Sequence, residues 1–132
     1  AEELLMANHL NQVLNSLMEK DDNVYILGED LLDPYGGAFK VTNGLSTTYP
    51  KNVISTPISE AGIVGMGIGM SLLGYRPFVE IMFGDFITLC TDQIINGVSK
   101  FKWMYGGNLK VPLVVRLAGT NFKEGKKILI WR

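Results

Sequence analysis

The chain is 132 residues long, 47% hydrophobic and 19% charged, a composition that fits one domain able to bury a core without disulfides or a structural metal. Its 12 Lys and Arg against 13 Asp and Glu leave a net charge of -1, which argues against a nucleic-acid partner, because no basic footprint for a phosphate backbone is present. A single cysteine, Cys90, and a single histidine, His9, exclude an intrachain disulfide and a closed thiolate and imidazole zinc site, and no apolar run reaches the roughly 18 residues that cross a bilayer.

Within residues 1–20, Leu10, Val13, Leu14, Leu17 and Met18 fall at helical spacing among polar residues, which predicts an amphipathic helix. The period then changes: Val24-Tyr25-Ile26-Leu27-Gly28 is a short continuous apolar run, the pattern of a buried parallel strand. Gly36 and Gly37 mark a turn, 39–48 a short helix weakened by Gly44, and Val53-Ile54 a second strand ended by Thr56-Pro57. Residues 60–74 read as a buried helix whose glycines permit close approach, with Gly74 as its stop. Phe78-Val79-Glu80-Ile81-Met82 is a third strand. Asp85 is a candidate cap for a long helix over 86–105, whose apolar face carries Phe86, Cys90, Ile94, Val98 and Phe101. A fourth strand follows at 111–117. Strands alternating with helices predict an α/β fold, a mainly parallel sheet flanked by helices and joined by right-handed crossovers.

Few residues carry a chemical signal. The glycines of 65–69 run G-x-G-x-G, not the G-x-G-x-x-G of a dinucleotide loop, and Pro57 interrupts the strand that would feed them. His9 falls on the polar side of its helix, and Cys90 on an apolar face, where a thiol acts as a small hydrophobe. Glu60 stands apart, a carboxylate entering an otherwise apolar helix. It has two readings: favourable charge at a helix N-terminus, or a buried acid of raised proton affinity offered to a ligand at the C-terminal edge of the sheet. Glu29 and Asp30 after the first strand, and Glu80 within the third, raise the same question against a loop or capping role.

Several ordered segments share one register: Leu27-Gly28-Glu29-Asp30, Gly37-Ala38-Phe39-Lys40-Val41-Thr42, Thr56-Pro57-Ile58-Ser59-Glu60, Gly74-Tyr75-Arg76-Pro77, Glu80-Ile81-Met82-Phe83-Gly84-Asp85-Phe86, Asp92-Gln93-Ile94-Ile95-Asn96 and Met104-Tyr105-Gly106-Gly107. Together they resemble the pyrimidine-binding, transketolase-like domain of the beta subunit of thiamine-diphosphate-dependent 2-oxo acid dehydrogenases, over about residues 5–118. The resemblance implies a pyrimidine-binding domain at 1–118, incomplete at its C-terminal end, and a divergent tail at 119–132. It implies thiamine diphosphate shared between two subunits, with diphosphate and magnesium held by an alpha-type partner, because this chain has no G-D-G segment followed by the asparagine that would hold them. No metal ligand is therefore expected here. A second copy of the chain and the acyl-carrying core of the complex are further partners that the family allows.

Residue by residue, the resemblance makes Glu60 the glutamate that hydrogen-bonds the pyrimidine ring nitrogen, and so assists loss of the proton from the thiazolium carbon. Glu29 matches an acidic residue that takes part in proton traffic near the cofactor. Met82 and Phe86 match positions that pack against the cofactor rings, with Ile58 a further candidate for that wall. The chain departs from the family pattern in two places: 118–132 supplies neither the glycine-rich loop nor the histidine that faces the reacting centre, and Leu89 stands where many members carry glutamine. The family's second domain is also missing from this sequence. Two functions stay open on these grounds, a pyrimidine-side component inactive alone and a non-catalytic interaction domain or truncated remnant of the same fold. The expected compartment is cytoplasmic, with a mitochondrial or plastid matrix as the alternative.

Overall fold

The computed structural model describes the backbone of residues 2–117 and 129–130 and the side chains of residues 6–117. Four parallel strands, β1 (Val24–Gly28), β2 (Val53–Ser55), β3 (Arg76–Ile81) and β4 (Val114–Leu117), lie in the order β2-β1-β3-β4, and β5 (Leu129–Ile130) adds antiparallel to β4. The expected parallel α/β sheet is present. Its fourth strand begins at Val114, later than the apolar run from 111 suggests, because Pro112 has no N–H to give a ladder. Pairing of Leu129–Ile130 falls within the divergent tail; the remainder of that tail, and the boundary at 118, lie outside the described residues.

Successive side chains of a strand face opposite sides, so the sheet separates two cores. On one side Ile26 and Val24 pack with Leu14 and Met18 of α1 (Glu2–Lys20). On the other, Leu27, Val79, Ile81 and Val115 pack with Ile63, Val64 and Ile68 of α3 (Glu60–Leu72) and with Cys90, Ile94 and Val98. The buried stripe of α1 is narrower than expected: Val13 and Leu17 are exposed, while Ala7 and Leu10 join Leu14 and Met18 against the sheet.

Three helix expectations are corrected. The helix over 39–48 is instead a 3₁₀ turn, Ala38–Lys40, and a separate one-turn α2 (Leu45–Thr48), parted at Gly44, which has φ +81°. Asp33 caps α2 from a distance: its carboxylate accepts hydrogen bonds from the Gly44 and Thr47 N–H groups and from the Ser46 and Thr47 hydroxyls. Those donors hold the Asp33 carboxyl well below the usual carboxylate range.

The long helix over 86–105 is replaced by a 3₁₀ segment (Gly84–Cys90), a π segment (Gln93–Val98) and α4 (Phe101–Met104), which makes the 19-residue α1 the longest helix. The hydroxyls of Thr88, Thr91 and Ser99 and the Cys90 thiol donate to carbonyls three or four residues back, in competition with regular helical bonding. Asp85 lies in the first turn and makes no side-chain cap. Close packing on α3 also constrains this stretch, since a Cβ at Gly97 would lie 2.5 Å from Ile68 Cδ1.

Finally, α3 is buried on one face only. Gly67 gives the close approach, because a Cβ there would come within 2.8 Å of both Leu113 Cδ1 and Val79 Cγ2, whereas Gly65 and Gly69 face open space. The helix stops as its sequence suggests: the Gly74 N–H donates to Ser71 O and the Tyr75 N–H to Met70 O, around Gly74 at φ +94°.

Candidate active site

Since β1 to β4 are parallel, their C-terminal ends share one edge. The chain passes from β1 outward to β2 and then returns to place β3 on the other side of β1, so the connections leaving β1 and β3 diverge. A crevice outside the strand ends at such a point is where open α/β sheets take ligands. Glu29 follows β1, Ile58 and Glu60 follow β2, and Met82 and Phe86 follow β3. All five sequence-selected residues therefore stand at this edge.

Burial divides them. Glu60, the first residue of α3, and Glu29 are each only 8% exposed, although both are acids. The two are close enough to interact electrostatically: burial first, then the Glu60 charge, then the Asp30 charge push the Glu29 carboxyl above its ordinary value. Glu60 also lies near Cys90, whose thiol is raised by burial and by the Glu60 charge, leaving it a poor nucleophile. Met82 is half-buried and Phe86 partly exposed. Ile58 is 83% exposed and lies off the packed surface. Leu89 is exposed as well.

Between Ile58 and the end of β2, the Thr56 hydroxyl is buried and has no hydrogen-bond partner among the described residues. A buried hydroxyl left unpaired is costly, roughly 1–3 kcal/mol. It shares the C-terminal strand ends with the sheltered Glu60 carboxyl and the apolar Met82 and Phe86, so that edge offers a hydroxyl, a carboxyl and apolar side chains. That chemistry fits a flat heteroaromatic ring with nitrogen atoms on its edge.

Glu80 is not a loop or capping carboxylate but a buried acid, and it is paired within the sheet. It caps nothing; its carboxylate lies in the sheet, with Arg116 Nη1 of the adjacent strand 2.5 Å from its Oε2. Burial nevertheless pushes the Glu80 carboxyl up, against the lowering influence of Arg116. In β1, Gly28 makes room for it, because a Cβ there would lie 3.0 Å from both the Glu80 Cβ and carbonyl oxygen. The signal for this pair was present in the sequence as one charge in each of two apolar runs, Glu80 and Arg116.

Sequence reasoning also missed a row of rings. Phe39 lies edge-to-face on Phe83 with centroids 6.5 Å apart, and Phe83 edge-to-face on Phe86 at 5.7 Å. Phe39 comes from the loop after β1, so the row bridges the diverging connections.

A parallel sheet with two buried acids and a row of aromatic rings at the C-terminal ends of its strands is that of an open α/β domain with its candidate site at the switch point. The family described as transketolase, pyrimidine binding domain, matches residues 2–124, and the chain belongs to it. Among curated relatives it is 38% identical over 131 residues to the acetoin:2,6-dichlorophenolindophenol oxidoreductase subunit beta of Bacillus subtilis, covering 89% of this chain and 38% of that one. It is 42% identical over 115 residues to the pyruvate dehydrogenase E1 component subunit beta of Leifsonia xyli, covering 86% and 34%. The chain thus spans a little over a third of the length of these relatives. A solved split gene transketolase, described as an inactive beta4 tetramer, superposes with a TM-score of 0.57 at 21% identity over 67% of this chain and 28% of that one, a likeness of fold.

Proposed function

We propose that the chain is the pyrimidine-side part of a thiamine-diphosphate-dependent, decarboxylating 2-oxo acid dehydrogenase, completed by an alpha-type subunit. The observation that carries this reading is the pair of buried acids, Glu60 and Glu29, at the C-terminal edge of the sheet. When bound, thiamine diphosphate supplies a carbon nucleophile and an electron sink for decarboxylation. Glu60 would hydrogen-bond the pyrimidine ring nitrogen, in surroundings where a hydrogen bond of this kind is strengthened by the exclusion of water. Glu29, its carboxyl raised chiefly by burial, exchanges protons with the site. Met82 and Phe86 form the wall against the ring, Ile58 extends it from outside, and the free Thr56 hydroxyl meets a polar edge.

Diphosphate and magnesium belong, in this reading, to the partner, and no group of three or more potential metal-ligating side chains occurs among the described residues. Residues 1–118 are the pyrimidine-binding unit and 119–132 a divergent tail. No helix among the described residues is long and apolar enough to cross a membrane.

The test is Glu60→Gln in the reconstituted heteromer. Turnover is expected to fall by about 10²-fold or more, with the circular dichroism spectrum and subunit association unchanged. Normal turnover by that variant refutes the assignment. A wild-type heteromer that assembles yet binds no thiamine diphosphate makes the chain an interaction domain instead.

A further inference from the structure

Among the described residues other than glycine, left-handed backbone occurs at Asp30, Phe39 and Lys40, with φ of +52°, +66° and +59°. All three lie in the connection that leaves β1 at the candidate site. Such conformations are strained for an L side chain and persist where the surroundings over-determine them. Here the Gly37 N–H donates to Asp30 O, the Lys40 N–H to Gly37 O and the Thr42 N–H to Gly36 O. Lys40 Nζ donates to the carbonyl oxygens of Pro34 and Tyr35 and lies over the Tyr35 ring. From beneath, the Thr42 hydroxyl and the Glu80 carboxylate crowd Gly37, where a Cβ would lie 3.0 and 3.4 Å from them.

What all these contacts fix is the place of one ring. Phe39 remains 49% exposed, so burial of its own surface does not account for the strain. Its one aromatic contact is Phe83, across the divergence of the β1 and β3 connections, and Phe83 in turn touches Phe86. An exposed ring held in a costly conformation at the C-terminal edge of the sheet, beside two buried acids, is placed for something that arrives there.

We infer that Phe39 is a specificity-determining residue of the proposed site, meeting the carbon side chain of the 2-oxo acid. This rests on the function proposed above. In that reading Phe86 stands beside the cofactor ring, and Phe39, at the far end of the same row, meets what extends past that ring.

Phe39→Gly separates this role from a structural one, because glycine adopts the left-handed conformation without strain. The variant is examined in the full chain assembled with its alpha-type partner. Its thermal midpoint is expected to equal or exceed that of the wild type, and its Kd for thiamine diphosphate to stay within about threefold. The ratio of kcat/KM for pyruvate to that for 3-methyl-2-oxobutanoate is expected to shift roughly tenfold or more, the scale on which apolar pockets discriminate. Phe39→Leu, which keeps an apolar side chain but no ring, is expected to shift the ratio part of the way and carries the test if the glycine variant does not assemble. An unchanged ratio with thiamine diphosphate binding intact overturns the inference and leaves the function standing. A wild-type complex that binds no thiamine diphosphate removes both.

Discussion

Glu29 and Glu60 bring two acids into a sheltered corner, where the Glu29 carboxyl is raised above its ordinary 4.5 by burial and by neighbouring charge. The folded chain therefore keeps a proton at pH values where the unfolded chain has released it. Stability contributed by this group falls as pH rises from about 4.5 through the raised value, and the ionised acid remains a burden above it. Glu29→Gln is accordingly expected to raise the thermal midpoint at pH 7, by an amount that shrinks as the pH is lowered towards 4.5. Midpoints of both proteins measured across pH 4 to 8 check this, and parallel curves would remove Glu29 from the account. The sequence marked both acids, because a carboxylate beside an apolar helix or strand is conspicuous. Their mutual approach was not legible, since it depends on β1 and β2 pairing as neighbours, with Gly28 opposite Ser55.

At the scale of the element, α3 carries opposed demands on its two faces. Gly67 fits where no Cβ does, between Leu113 and Val79, so Gly67→Ala is expected to destabilise the chain by about 1–3 kcal/mol through overpacking. Gly65 and Gly69 meet nothing, and alanine at either is expected to stabilise the isolated chain by up to about 1 kcal/mol through helix propensity. Urea denaturation of the three variants gives the comparison, and equal effects at 67 and 65 would contradict the one-sided packing. Sequence spacing located α3, its stop at Gly74 and the apolar strands, because period and punctuation are local signals. It failed at 39–48 and 86–105 for two physical reasons. Asp33 caps α2 from eleven residues before Gly44, and hydroxyl back-bonding together with the Gly97 contact on Ile68 reshapes an otherwise helical pattern. The aromatic row escaped for a similar reason, as Phe39 and Phe83 are far apart in sequence and meet through left-handed turns that glycines only hint at.

For the whole molecule, one sheet serves two cores, with Ile26 turned to the α1 side and its neighbour Leu27 to the α3 side. Loss of either side chain leaves a cavity against the same strand. Ile26→Ala and Leu27→Ala are each expected to cost about 2–5 kcal/mol, and each to lower a single common transition, since neither core persists without β1. Far- and near-ultraviolet circular dichroism followed together through urea test this. Separate transitions by the two probes would show that the layers on the two sides of the sheet unfold independently.

The position of β1 between β2 and β3 also shapes how the chain is made. Its apolar segment emerges from the ribosome before either neighbour exists, and the edge not taken by β2 remains unpaired until β3 has followed at Arg76–Ile81. At about 5–20 residues per second, that interval is roughly 3–10 s. During translation, the strand that later anchors both cores is thus the segment most in need of shielding by a chaperone.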